Sequence, residues 1–109
     1  MLEVRYYFAD GGESPFADWF AELDAAARAK ITVAIARMGQ GNLSNVKSVG
    51  GGVLEYKIDF GPGYRVYFGR DGDAMIVLLT GGTKKRQQRD IKSAIALWAN
   101  YKASKRGPQ

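Results

Sequence analysis

The sequence predicts a single α+β domain in the order strand, two helices, three antiparallel strands, helix. Three observations predict it: apolar residues alternate with period two at the start and again after residue 53, they recur every three or four residues in three other stretches, and Asp71-Gly72 separates two apolar runs. The chain has 109 residues, enough for one core across residues 1–109 and no second one. A globule of this size buries roughly two-thirds of the surface that its unfolded chain exposes.

Leu2, Val4, Tyr6 and Phe8 alternate with Glu3, Arg5 and Tyr7, the pattern of a strand with its first set buried. Ser14-Pro15 then reads as an N-cap followed by the residue best tolerated at the first helical position. Phe16, Trp19, Phe20 and Leu23 form the apolar stripe of that short helix. Asp24 caps a second helix carrying Ala27, Ile31, Ala34, Ile35 and Met38, which stops at Gly39, so the two helices make a hairpin. Residues 39–52 contain five glycines with Asn42, Ser44, Asn45 and Ser48, and are expected to be a mobile loop with Gly50-Gly51-Gly52 as a flexible joint.

Three strands follow, Val53 to Phe60, Tyr64 to Gly69 and Ala74 to Thr80, joined by Gly61-Pro62-Gly63 and Asp71-Gly72. The last, with Met75 to Leu79 unbroken, is apolar on both sides and expected at the centre of the sheet. A closing helix begins near Gln87, carries Ile91, Ala94, Ile95, Trp98 and Tyr101 on one stripe, and is expected to fray from Lys102 to Gln109. Trp19, Phe20 and Trp98 lie on helical stripes and read as core rather than as stacking platforms.

Composition removes several chemistries. There is no cysteine and no histidine, which excludes disulfides, the zinc sites that depend on those ligands, cysteine nucleophiles and histidine-based triads. Proton transfer is left to Lys, Asp, Glu, Tyr or water, and arginine can only stabilise charge. No tight acidic cluster points to a metal, and Gly81-Gly82-Thr83-Lys84 lacks the spacing of a phosphate-binding P-loop. No apolar run is long enough to span a bilayer and residues 1–10 lack the features of a signal peptide, so the expected location is the cytoplasm.

The net charge of +5 is unevenly spread: residues 1–46 carry −2 and residues 47–109 carry +7. Such a basic half suits a polyanion, through phosphate neutralisation and counterion release, although surplus cations also simply keep a small protein soluble. In the strand from Val53, Leu54, Tyr56, Ile58 and Phe60 share one face and Glu55, Lys57 and Asp59 the other. If a three-residue turn pairs Phe60 with Tyr64, Asp59 lies opposite Arg65 and Lys57 opposite Tyr67, forming one open polar patch. Lys57 would then be a candidate base crowded by cations, with Lys84, Lys85, Arg86 and Arg89 close by. The plainer reading keeps Glu55, Lys57 and Asp59 as the solvated side of an amphipathic strand, with an Asp59–Arg65 pair worth under about 1 kcal/mol.

The element order, together with Tyr56-Lys57-Ile58 and Gly63-Tyr64-Arg65-Val66-Tyr67, resembles the RelE/ParE superfamily of toxins from toxin–antitoxin pairs. The stretch Ile58 to Gly69, with Gly81-Gly82-Thr83-Lys84, Gln87 and Asp90-Ile91, is similar to its HigB-like branch, the addiction module killer proteins. The resemblance implies a RelE-like fold, with a small, mainly antiparallel sheet packed against an N-terminal helical hairpin and a C-terminal helix. It also implies a ribosome-dependent messenger-RNA endoribonuclease that needs neither metal nor cofactor. Its partners would be the ribosome, messenger RNA and a cognate antitoxin with a helix-turn-helix domain, and no membrane.

On the family pattern, Lys57 is the base, Arg65 is the hairpin arginine, and the basic residue after the last strand is Lys84 or Lys85. Arg65 and Lys84 would hold the phosphate, and Lys47, Tyr67, Lys85, Arg86, Gln87 and Arg89 are expected as further RNA contacts. Alanine at Lys57 or Arg65 should then abolish growth arrest and leave the fold intact. Asp59 stands where RelE-like enzymes carry a second lysine, and no tyrosine lies between Lys84 and Lys92 to match the one on RelE's last helix. A ParE-like toxin that blocks DNA gyrase without cutting RNA is the competing reading, and a non-toxic basic binding module is a third.

Overall fold

The structure is a computed structural model and describes residues 1–106. Its elements are β1 (Glu3–Tyr6), α1 (Pro15–Ala21), α2 (Ala25–Gly39), β2 (Val46–Gly50), β3 (Val53–Ile58), β4 (Tyr64–Asp71), β5 (Met75–Thr83), a 3-10 turn (Lys84–Arg86) and α3 (Gln87–Arg106). The five strands form one sheet in the order β1-β5-β4-β3-β2, with β1 parallel to β5 and every other pair antiparallel. The α+β class and the helical elements therefore agree with the sequence reading, while the sheet has one strand more. No helix among the described residues is long and apolar enough to cross a membrane.

Each face of the sheet buries its own apolar layer. On one side Tyr56, Tyr64, Val66, Phe68, Ile76 and Leu78 pack against Phe16 of α1 and Ala27, Ile31, Ala34 and Met38 of α2. On the other side Val53, Tyr67, Val77 and Leu79 pack against Ala94 and Trp98 of α3. The helical hairpin starts where its caps direct: Ser14 Oγ accepts from the Ala17 N–H at 3.2 Å and Asp24 Oδ1 from the Ala27 N–H at 2.8 Å. At its far end α3 is tied to the sheet by Asp71, which accepts from the Tyr101 hydroxyl and pairs with Lys105, both at 2.5 Å.

Six expectations are corrected. The stretch read as a mobile loop contains β2, an edge strand that pairs Val46 with Tyr56 and Lys47 with Glu55. The triple glycine is a tight turn rather than a joint: Gly50, Gly51 and Gly52 all have positive φ, and a Cβ on Gly51 or Gly52 would meet Ile95 at 2.7 Å or Trp98 at 2.8 Å. The β3–β4 register pairs Ile58 with Tyr64 and Lys57 with Arg65, so the connection is longer than three residues and Asp59 lies within it.

Gly81, Gly82 and Thr83 belong to β5, not to a loop beyond it. Just after β1 the buried tyrosine is Tyr7, while Tyr6 and Phe8 are exposed, because the parallel pairing with β5 places the end of the strand beside α3. Helix α3 continues through the residues expected to fray as far as Arg106; residues 107–109 of that expectation lie outside the described part.

Candidate functional site

The β3–β4 hairpin and the start of α3 meet at one carbonyl. Gly63 O accepts the Arg65 Nη1–H at 2.8 Å and the Lys84 backbone N–H at 2.9 Å, which joins the hairpin turn to the basic 3-10 turn. Gly63 has φ of 78°, the left-handed conformation that glycine adopts without steric cost. The turn is also steadied by Lys30 of α2, whose ammonium lies 5.2 Å from the centre of the Phe60 ring. Arg65 and Lys84 thus meet at Gly63, and Lys57 lies opposite Arg65 in the β3–β4 register.

Their surroundings differ from the expected open patch. Lys57 is half-exposed, and its Nζ lies 3.6 Å from Asp59 Oδ1 in the turn. Arg65 does not pair with Asp59; it is buried, with its Nε 3.9 Å from Glu55 Oε2. Glu55, read as solvated, is 1 % exposed and gathers side chains from three elements. Its Oε2 accepts from Gln87 Nε2 at 2.8 Å, and its Oε1 lies 3.7 Å from Nζ of Lys47. Tyr67, expected to contact RNA, is fully buried beneath α3 and presents no surface to a ligand. Lys47, Lys84, Lys85, Arg86 and Arg89 are all exposed, and Gln87 is partly covered.

The physical reason is the closing helix. Glu55, Arg65 and Tyr67 share a sheet face with Val53, and α3 lies on that face. Glu55 is the residue that sequence reasoning missed. The available signal was Val53 at the start of the same alternating set, since an apolar residue on a strand face shows that something covers it.

This buried polar layer is incompletely satisfied: Arg65 Nε, the Tyr67 hydroxyl and Asp90 Oδ2 are covered and lack hydrogen-bond partners among the described residues. Burial and the neighbouring Glu55 carboxylate push the Tyr67 phenol far above its ordinary range. Burial likewise raises the Asp90 carboxyl, against the pull of Arg86 and Arg89. A carboxyl whose pKa is raised in the folded protein contributes stability in its protonated form, and that contribution disappears as pH rises through the folded value. Asp90→Asn is therefore expected to raise the melting temperature at pH 7 and to lose this advantage in acid, below the ordinary aspartate range; thermal melts across pH measure it.

Among the described residues, two concavities bear on the choice of site. The larger, about 1000 Å³, runs between β1 and the far half of α3, along Arg5, Tyr6, Phe8 and Tyr101, and contains none of the residues expected from sequence. The smaller, about 380 Å³, is formed by residues 84–89. We take the second, with the hairpin beside it, as the candidate site, because the clustered cations lie there.

Residues 18–101 match the family described as phage derived protein Gp49-like (DUF891). The chain is also 42% identical, over 80 residues, to an uncharacterized protein of Haemophilus influenzae, an alignment covering 72% of this chain and 81% of that protein. The family match runs from α1 into α3 and includes every residue of the candidate site.

Proposed function

We propose that this chain, which belongs to the Gp49-like family of phage-derived proteins, is the toxin of a bacterial toxin–antitoxin pair and cleaves messenger RNA on the ribosome. The observation that carries this reading is that Arg65 and Lys84 meet at Gly63, with Lys57 opposite Arg65 in the sheet and the exposed cations of residues 85–89 beyond them. The likeness of Ile58 to Gly69 to HigB-like toxins supports it.

Cleavage requires cations on the phosphate, a group to receive the proton of the 2′-hydroxyl, and protonation of the leaving 5′-oxygen. Lys57, half-exposed on the hairpin, would be the group that receives the proton of the 2′-hydroxyl. Lys84 and Lys85 face solvent where the phosphate would lie, and the covered Arg65 adds positive charge from beneath them. The exposed Lys47, Arg86 and Arg89 extend the surface for neighbouring phosphates. The proposed partners are the ribosome with its message and an antitoxin carrying a helix-turn-helix domain.

Lys57→Ala and Lys84→Ala test the reading. Both residues lie at the surface, so each change should alter folding stability by no more than about 0.5 kcal/mol. Each is expected to abolish growth arrest on overexpression and to remove the cuts within codons that primer extension maps in translated messages. Undiminished toxicity of both variants overturns the assignment. Gyrase-linked DNA breaks without message cleavage would establish the ParE-like mode of action instead.

A further inference from the structure

Lys47, Arg65 and Gln87 come from β2, β4 and the first turn of α3, and all three meet at one side chain. Glu55 Oε1 lies 3.7 Å from Lys47 Nζ, while Oε2 lies 3.9 Å from Arg65 Nε and accepts the 2.8 Å hydrogen bond from Gln87 Nε2. A carboxylate that is 1 % exposed carries a desolvation cost that an apolar residue would avoid. Here it lies under a surface of cations, and the ends of its neighbours are the beginnings of that surface. Catalytic groups perform only when held to within a fraction of an ångström, by neighbours that are themselves locked in place.

Arg65 has two tethers: Gly63 O holds Nη1, and the Glu55 carboxylate faces Nε, which has no hydrogen-bond partner. The tether at Gly63 also fixes Lys84 through its backbone. The Glu55 side chain does the corresponding work for Lys47 and for α3, which continues the chain from Lys84, Lys85 and Arg86.

We propose that Glu55 is a positioning residue: its buried carboxylate holds the covered Arg65 guanidinium, Lys47 and the start of α3 in one fixed arrangement beneath the basic surface that meets the RNA phosphate. The proposal rests on the RNA-cleaving reading for its consequence in rate, and on the geometry alone for the restraint of Arg65. Glu55 touches no RNA, and it acts through the groups that do.

Electrostatics and positioning predict opposite results for Glu55→Gln. Removing a negative charge beneath a basic surface should leave RNA affinity unchanged or tighten it. Losing the restraint should lower turnover. The experiment compares wild type, Glu55→Gln and the exchanged pair Glu55→Gln with Gln87→Glu, which returns a carboxylate to the same gap.

Affinity is read with a labelled single-stranded RNA oligonucleotide, and turnover with ribosome-bound message. The restraint itself is read, with no RNA present, from the Nε–H signal of Arg65 in ¹H–¹⁵N spectra. Glu55→Gln is expected to lower kcat on the order of tenfold or more, with affinity no weaker than wild type and the Arg65 signal broadened or lost. The exchanged pair should recover both in part.

Should Glu55→Gln fail to fold, Gln87→Leu frees the carboxylate from α3 with every charge retained, and is expected to broaden the same signal. A folded Glu55→Gln or Gln87→Leu protein with an unchanged Arg65 signal overturns the proposal, as does an unchanged kcat in a wild type that cleaves. If the wild type cuts no message, the nuclease reading falls, and the Arg65 signal still decides the role of Glu55.

Discussion

Arg65→Ala is expected to lower folding stability by about 3–5 kcal/mol, the range for breaking a buried ion pair by removing one partner. The guanidinium is the covered cation nearest the Glu55 carboxylate, and both side chains are at most 5% exposed. Without it, Glu55 keeps the hydrogen bond from Gln87 and the attraction of Lys47. The Lys47 side chain is 66% exposed and therefore well screened by water. The Gly63 carbonyl also loses its bond from Nη1.

Small domains have only about 5–15 kcal/mol in total, so a loss of this size is a large share. Urea unfolding followed by circular dichroism measures it, and an Arg65→Ala midpoint equal to wild type would refute the account. Arg65→Met combined with Glu55→Leu should restore most of the stability, because apolar residues of similar volume avoid the desolvation that the ions suffer. It should not restore toxicity. Arg65→Ala therefore cannot serve as the simple active-site knockout that the sequence suggested, and that role passes to Lys57 and Lys84.

Gly81→Ala is expected to cost about 3 kcal/mol, the upper part of the range for forcing extra volume into a packed core. Gly81 faces the helical hairpin, and a Cβ there would run into the six-membered ring of Trp19. The ring is rigid and is held between Phe16, at 5.7 Å between centres, and Tyr64, at 6.3 Å, so α1 must shift as a whole. Gly82 faces the opposite way, and its Cβ would strike the Asp90 carboxylate. An aspartate side chain can turn aside, so Gly82→Ala should cost only about 1 kcal/mol. Trp19→Leu should relieve Gly81→Ala in a double-mutant cycle on the same unfolding curves. Additive effects would show that the ring is not what opposes the methyl group.

The helices were legible because their signals are local. Ser14-Pro15 and Asp24 mark starts, the stripes from Phe16 and Ala27 mark buried faces, and both caps make the hydrogen bonds that their side chains allow. β2 was not legible, because a half-exposed edge strand between glycines has little apolar alternation and owes its existence to pairing with β3.

In the hairpin, the expected register differs from the observed one by two positions: Ile58, not Phe60, faces Tyr64. A slip of two preserves which side chains share a face and changes only their partners. Lys57, Arg65, Glu55 and Tyr67 were thus grouped correctly, while Asp59 was given to the wrong cation. What covers the group could not be read locally, since it depends on where α3 lies, and α3 begins more than twenty residues after Arg65. Gly81-Gly82 misled for the same reason. The pair was read as following the last strand, whereas its lack of side chains admits a tryptophan on one side of β5 and a carboxylate on the other.

The parallel pairing of β1 with β5 constrains how the protein comes into being during synthesis. The first strand made must wait for the last, and the helices between them acquire much of their packing surface only when β4 and β5 arrive. Contacts this distant along a chain form late and slowly. A growing chain that has emerged only as far as β3 already carries Lys57, but it has neither Arg65 nor the α3 turn that completes the basic surface. The basic surface is therefore a late product of the chain, complete only once β4, β5 and the start of α3 have been made.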